Sequence, residues 1–98
     1  MALTIFWTKR ASKNFDLLIE YFSSEFGTRA AKNLVLKVYD FLELLLVFPE
    51  IGSVENEENE IRAFTIFKQL NIFYRVSKDK IIILGMFDNR QNPSKKPR

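Results

Sequence analysis

Histidine and cysteine are both absent from the 98 residues of this chain. Their absence removes the usual general base, the commonest metal ligand, and every thiolate nucleophile or disulfide. An ordinary hydrolase or metalloenzyme is therefore not expected, and neither a metal nor a cofactor is called for. The chemistry that remains belongs to arginine, lysine, tyrosine and the carboxylates. Arginine is the best equipped of these, because its planar fork of donors grips phosphate or carboxylate bidentately and stays charged at any working pH. Arg62, Arg75 and Arg90 lie within or directly after predicted strands and are the candidate anion-binding groups. Trp7 reads either as a stacking surface for a base or as an ordinary core or rim aromatic.

The charge is unevenly distributed. Residues 1–47 carry +1, residues 48–60 carry −5, residues 61–87 carry +4 and residues 88–98 carry +3. A basic C-terminal half invites an anionic partner, either nucleic acid or an acidic protein. The acidic stretch lacks the Asp/Gly pattern of a calcium loop and reads as solvated. The tail, residues 88–98, is expected to be a partly mobile basic end, able to track a phosphate backbone or simply to solubilise the chain.

Elements that position these groups follow from the apolar spacing. A hydrophobic content of 47%, including ten phenylalanines, suffices for one core over residues 1–87 and leaves no room for a second domain. Residues 2–7 suit a buried strand, and Thr8 can cap the helix after it. Ala11, Phe15, Leu18, Ile19, Phe22 and Phe26 recur at helical spacing up to a stop at Gly27, and Thr28 is the expected cap of a second helix. Its stripe is Ala31, Leu34, Val35, Val38, Leu42 and Leu45, closed by Pro49. Residues 50–60 read as a loop. Strands are predicted at 60–67, 70–76 and 80–87, joined by hairpin-length turns. The order is β-α-α-β-β-β. The fold class is α+β, a helical hairpin on one face of a mainly antiparallel four-stranded sheet. The N-terminus carries no signal-peptide pattern and no apolar run is long enough to span a bilayer, so a cytoplasmic protein away from membranes is expected.

If Lys68-Gln69 is a two-residue turn, Arg62 falls opposite Arg75 and Phe64 opposite Phe73. The second hairpin then adds Leu84 and Met86. One face would carry Arg62, Phe64, Asn71, Phe73, Arg75, Leu84 and Met86. The other, with Ile72, Tyr74, Val76, Ile81 and Ile83, would pack on the helices. Paired arginines repel, so they either splay into water or toward the acidic loop, or form a platform for an anion. The apolar members of that face form a patch that the N-terminal strand, the tail or a partner segment would cover.

Over nearly its whole length the chain resembles the RelE/ParE superfamily of type II toxins, those of plasmid stabilisation type in particular. The resemblance rests on the element order and on five motifs taken together: Phe48-Pro49-Glu50-Ile51-Gly52, Glu60-Ile61-Arg62-Ala63-Phe64, Phe73-Tyr74-Arg75-Val76, Ile81-Ile82-Ile83-Leu84, and the run from Phe87 to Pro93. It implies a bacterial toxin neutralised by a cognate antitoxin whose C-terminal segment, disordered when free, wraps over the basic and apolar face. The superfamily contains ribosome-dependent messenger-RNA endoribonucleases and inhibitors of DNA gyrase. The nucleases use arginines, lysines and a C-terminal tyrosine, with no metal. Arg62 and Arg90 fall near basic positions of those nucleases, but Asn71 stands where the central strand arginine belongs, and no tyrosine follows Tyr74. The chain is thus more similar to the ParE branch, whose members inhibit by binding. The alternatives are a RelE-like mRNA interferase, for which the resemblance implies Arg62, Arg75 and Arg90 as catalytic groups with Lys68 or Lys95 as auxiliary donors, a degenerate member without toxicity, and a plain nucleic-acid-binding module. The antitoxin's identity and the oligomeric state of the free toxin are not readable from the residues.

Overall fold

The computed structural model describes residues 3–67 and 70–88. Strand β1 (Thr4–Trp7) leads into helices α1 (Lys9–Phe26) and α2 (Thr28–Val47), followed by strands β2 (Ser53–Asn56), β3 (Ile61–Phe67), β4 (Leu70–Ser77) and β5 (Lys80–Asp88). The strands form one sheet in the order β1-β5-β4-β3-β2. β1 runs parallel to β5, and the other pairings are antiparallel. The expected α+β architecture is present, with a fifth strand, β2, inside the stretch read as an acidic loop. An edge strand needs to pair on one side only, and β2 does so through Ser53 opposite Ala63 and Val54 opposite Arg62. Its exposed glutamate also blunts the edge against further strand addition.

α1 begins where the Thr8 side chain accepts a hydrogen bond from the Ala11 N–H at 3.0 Å. The same hydroxyl donates to the Ile83 carbonyl at 2.8 Å, which ties the helix start to β5. Gly27 ends α1 and also caps α2. Its N–H donates to the Ser23 carbonyl, and its own carbonyl accepts from Ala31 N–H. Only glycine adopts its φ of 97° without strain. The cap expected at Thr28 is therefore displaced by one residue, and Thr28 is the first residue of α2.

Both apolar stripes turn inward. Ala11, Phe15, Leu18 and Phe22 of α1 meet Leu34, Val38, Phe41, Leu42 and Leu45 of α2 over Leu70, Ile72, Tyr74, Ile81, Ile83 and Met86 of the sheet. Each large side chain so buried contributes roughly 1.5–3 kcal/mol. Trp7 stacks on Phe15 with ring centroids 5.3 Å apart, which makes it a core-rim aromatic. Phe26, by contrast, is exposed at the end of α1.

The strand pairing departs from the expected register at two places. Thr65 pairs with Asn71 while Phe67 pairs with Leu70, so Ile66 is an extra residue in β3. Phe73 pairs with Gly85 while Tyr74 pairs with Ile83, so Leu84 is an extra residue in β5. A one-residue slip exchanges the two faces of a strand. Accordingly Ile61, not Arg62, lies opposite Arg75, and Arg62 lies opposite Tyr74. The predicted Lys68-Gln69 turn lies outside the described residues. The second turn is Lys78-Asp79, between Ser77 and Lys80, with Lys78 at a φ of 41°. Asp88, assigned to the tail from the sequence, is buried at the end of β5.

Candidate functional site

The bulges redistribute the predicted face. Arg62 and Phe64 of β3 and Met86 of β5 lie on the helix side of the sheet, opposite Tyr74 and Ile72 of β4. Phe64 stacks on Phe41 of α2 with centroids 4.6 Å apart, and Met86 is buried in the core. Asn71, Phe73 and Arg75 lie on the other, open side. Phe73 meets Phe87 edge to face at 6.2 Å, and Arg75 is exposed. Leu84 is the half-buried bulge residue. Arg90, Lys68 and Lys95 lie outside the described residues. The seven-residue face inferred from an unbroken register is thus divided between the two sides, because each bulge inverts the alternation beyond it.

Arg62 does not form a platform with Arg75. Its guanidinium Nη1 donates to the Gly52 carbonyl at 2.8 Å and to the Glu50 carbonyl at 3.2 Å. Glu50, Glu57 and Glu60 line the same recess, together with Val54 and Val76. Beside it, the Tyr74 hydroxyl accepts the Gly52 N–H at 2.8 Å in a buried setting. Burial pushes the Tyr74 phenol above its ordinary pKa of 10.0. The Gly52 hydrogen bond and the Arg62 charge oppose that shift, and Glu50 adds to it.

Gly52 is required at this point. A Cβ there would lie 2.8 Å from the Ala63 carbonyl oxygen and 2.8 Å from the Tyr74 hydroxyl. Two of the sequence motifs, Phe48-Pro49-Glu50-Ile51-Gly52 and Phe73-Tyr74-Arg75-Val76, are therefore halves of one clamp that holds the corner between α2 and β2.

On the open side, a concavity of about 440 Å³ is lined by Ile51, Ser53, Glu55, Ala63, Phe64, Thr65, Asn71 and Phe73. The Thr65 hydroxyl donates to Asn71 Oδ1 at 2.7 Å across its floor. Among the described lining residues there is one carboxylate and no cation. The strand cations of this side, Arg75 and Lys80, stand toward the β4–β5 turn, where the Lys80 ammonium lies 5.9 Å from the Phe6 ring centroid. Such a hollow can take up an apolar or hydrogen-bonding side chain, and a described cation stands beyond its Phe73 wall, where the Arg10 guanidinium of α1 lies 5.7 Å from the Phe87 ring centroid. Among the described residues, no group of three or more acidic side chains converges to hold a metal ion. No described helix is long and apolar enough to cross a membrane.

Reasoning from sequence missed the clamp residues Tyr74 and Gly52, and it missed the surface they support. Val47 and Phe48 are 67% and 57% exposed and border a recess with Ile51, and Leu44, Leu46 and Val54 are exposed as well. The signal for that surface was in the chain: Leu44, Leu46 and Val47 are apolar residues that fall off the buried stripe of α2.

The sequence matches the family model described as ParE toxin of type II toxin-antitoxin system, parDE, over residues 5–93. No protein with a curated description matches it. Among solved structures, a chain of the chromosomal ParDE TA system from P. aeruginosa is similar with a TM-score of 0.73 at 19% identity, over 88% of this chain and 95% of that one. The YoeB/ParE toxin from Agrobacterium tumefaciens is similar with a TM-score of 0.64 at 14% identity, over 88% and 98% of the two chains. A conserved hypothetical protein from Helicobacter pylori gives a TM-score of 0.51 at 18% identity, over 90% and 96%. At these identities the structures speak for a shared fold, and the match over residues 5–93 carries the assignment: the chain belongs to the ParE toxins of type II toxin-antitoxin systems.

Proposed function

We propose that this ParE toxin arrests growth by binding DNA gyrase, performs no chemistry of its own, and is held silent by a cognate antitoxin laid over the open side of the sheet. The observation that carries this reading is the composition of the open concavity, where Ser53, Ala63, Thr65, Asn71 and Phe73 stand without a described cation and beside Glu55. Cleavage of RNA without a metal needs positive charge and donors at the phosphorane, and loss of a single such donor costs about 100- to 1,000-fold in rate. Arg62, the strand arginine nearest in sequence to that role, is engaged by the Glu50 and Gly52 carbonyls instead. The exposed Arg75 and, on the same side, the exposed Phe6 suit an antitoxin segment that brings both carboxylates and an apolar anchor. The reading puts the protein in the cytoplasm, where gyrase works.

The test is expression from a tightly regulated promoter with pulse labelling of DNA and protein synthesis, alongside supercoiling assays with purified gyrase. Early loss of DNA synthesis, inhibition of supercoiling by the purified chain, and relief by the co-expressed antitoxin are the expected results. Cleavage of messenger RNA in translating ribosomes, lost in Arg75→Ala, would instead establish a nuclease and sink the proposal.

A further inference from the structure

Residues 43–60 contain six glutamates and neither lysine nor arginine, in a chain whose net charge is +3. The rest of the molecule is therefore strongly basic, and the corner after α2 is an isolated acidic region. The same corner concentrates exposed apolar side chains. Val47, Phe48, Pro49, Glu50 and Ile51 border one open recess, and Glu50 also borders the neighbouring recess with Glu57 and Glu60. An exposed apolar surface with carboxylates beside it thus runs over the end of α2, the corner and the start of β2.

This corner is held by backbone and side-chain hydrogen bonds. Phe48 N–H donates to the Leu44 carbonyl at 2.8 Å and Ile51 N–H donates to the Phe48 carbonyl at 3.1 Å. Arg62 and Tyr74 fix Glu50 and Gly52 from below. A surface ordered before it binds loses less conformational entropy on docking. Its shape and charge also select the occupant. DNA and acidic protein segments are repelled by the glutamates, whereas a basic surface with an apolar socket is attracted by them and anchored by Val47 and Phe48.

We infer that the Val47-Phe48 corner is the toxin's anchor on its target, docking into an apolar socket on a basic protein surface of the kind that an enzyme handling DNA presents to the phosphate backbone. The inference rests on the gyrase reading above. It separates two surfaces: the basic and apolar open side for the antitoxin, and the acidic corner for the enzyme.

The experiment measures inhibition of gyrase supercoiling by the purified wild-type chain, by Val47→Ser/Phe48→Ser, and by Glu57→Lys/Glu58→Lys, with thermal melts to establish that all three fold. The expected result is inhibition by the wild type, at least about a tenfold weaker effect for the serine variant, and a weaker, less salt-sensitive effect for the lysine variant. Wild-type inhibition matched by a folded serine variant overturns the anchor while leaving the gyrase reading intact. No inhibition by the wild type overturns both. Sedimentation covers the remaining occupant: a wild-type dimer that becomes a monomer in the serine variant would make the corner a self-interface and overturn the inference.

Discussion

Replacing Tyr74 by phenylalanine removes one oxygen from the centre of the clamp and leaves the ring packing in place. The lost hydroxyl accepts the Gly52 N–H at 2.8 Å, and both residues are buried, so water does not take over the bond. A buried donor left without a partner costs about 1–3 kcal/mol. In a domain of this size each kcal/mol lowers the melting temperature by roughly 4–8 °C. Tyr74→Phe should therefore melt several degrees below the wild type, yet remain folded against a typical stability of about 5–15 kcal/mol. Urea unfolding followed through the lone tryptophan, Trp7, should show a lower midpoint with an unchanged slope. Arg62→Met removes the second half of the clamp, the two bonds to the Glu50 and Gly52 carbonyls. Because both residues hold the same corner, the double variant should show a coupling energy of about 0.5–3 kcal/mol. A Tyr74→Phe loss below about 0.5 kcal/mol, within the range of ordinary surface substitutions, together with strict additivity with Arg62→Met, would refute the clamp.

Gly52→Ala forces a methyl group to within 2.8 Å of the Ala63 carbonyl oxygen, which the β2–β3 ladder prevents from moving, so a loss of about 1–3 kcal/mol is expected in the same urea assay. The raised Tyr74 pKa has a definite pH signature. The folded chain keeps its phenol proton at pH values where the unfolded chain has released it, so the stability contributed by this group is full below the ordinary value of 10.0 and falls as pH rises above it. Unfolding midpoints across that range should fall more steeply for the wild type than for Tyr74→Phe, in which the lysines titrate equally. Thr8→Ala should cost about 1 kcal/mol through loss of the helix cap. Thr8→Ser, which keeps the oxygen that accepts from Ala11 and donates to the Ile83 carbonyl, should restore most of the melting temperature.

The helices were legible in the sequence because their signals are local. The three- and four-residue spacing of Ala11, Phe15, Leu18 and Phe22, the cap at Thr8 and the break at Gly27 each depend on residues within one or two turns. Strands β3, β4 and β5 were legible for the same reason, to within a residue at their ends. The sheet face was not. Ile66 is an apolar residue in an apolar strand with nothing in its neighbours to mark a bulge, and at Leu84 the adjacent Gly85 is the one local signal. The extra residue is decided by how Phe64 stacks on Phe41 and how Met86 reaches the core, across many residues of chain. β2 escaped notice because four residues of mixed polarity become a strand only when β3 supplies the hydrogen bonds.

The candidate site divides along the same line. Residue types alone excluded histidine and thiolate chemistry and isolated the acidic stretch, while the resemblance to the RelE/ParE superfamily marked Asn71 as a departure from the nuclease pattern. Only the tertiary structure decided what Arg62 does. A guanidinium binds a phosphate and a pair of backbone carbonyls with the same donors, and which of them it meets depends on whether the Glu50–Gly52 corner folds back against β3. That packing turned a predicted anion site into a clamp and left Val47 and Phe48 exposed above it. Composition determines which chemistry a chain can perform, whereas the position of each group depends on long-range contacts whose energies are set by the whole fold.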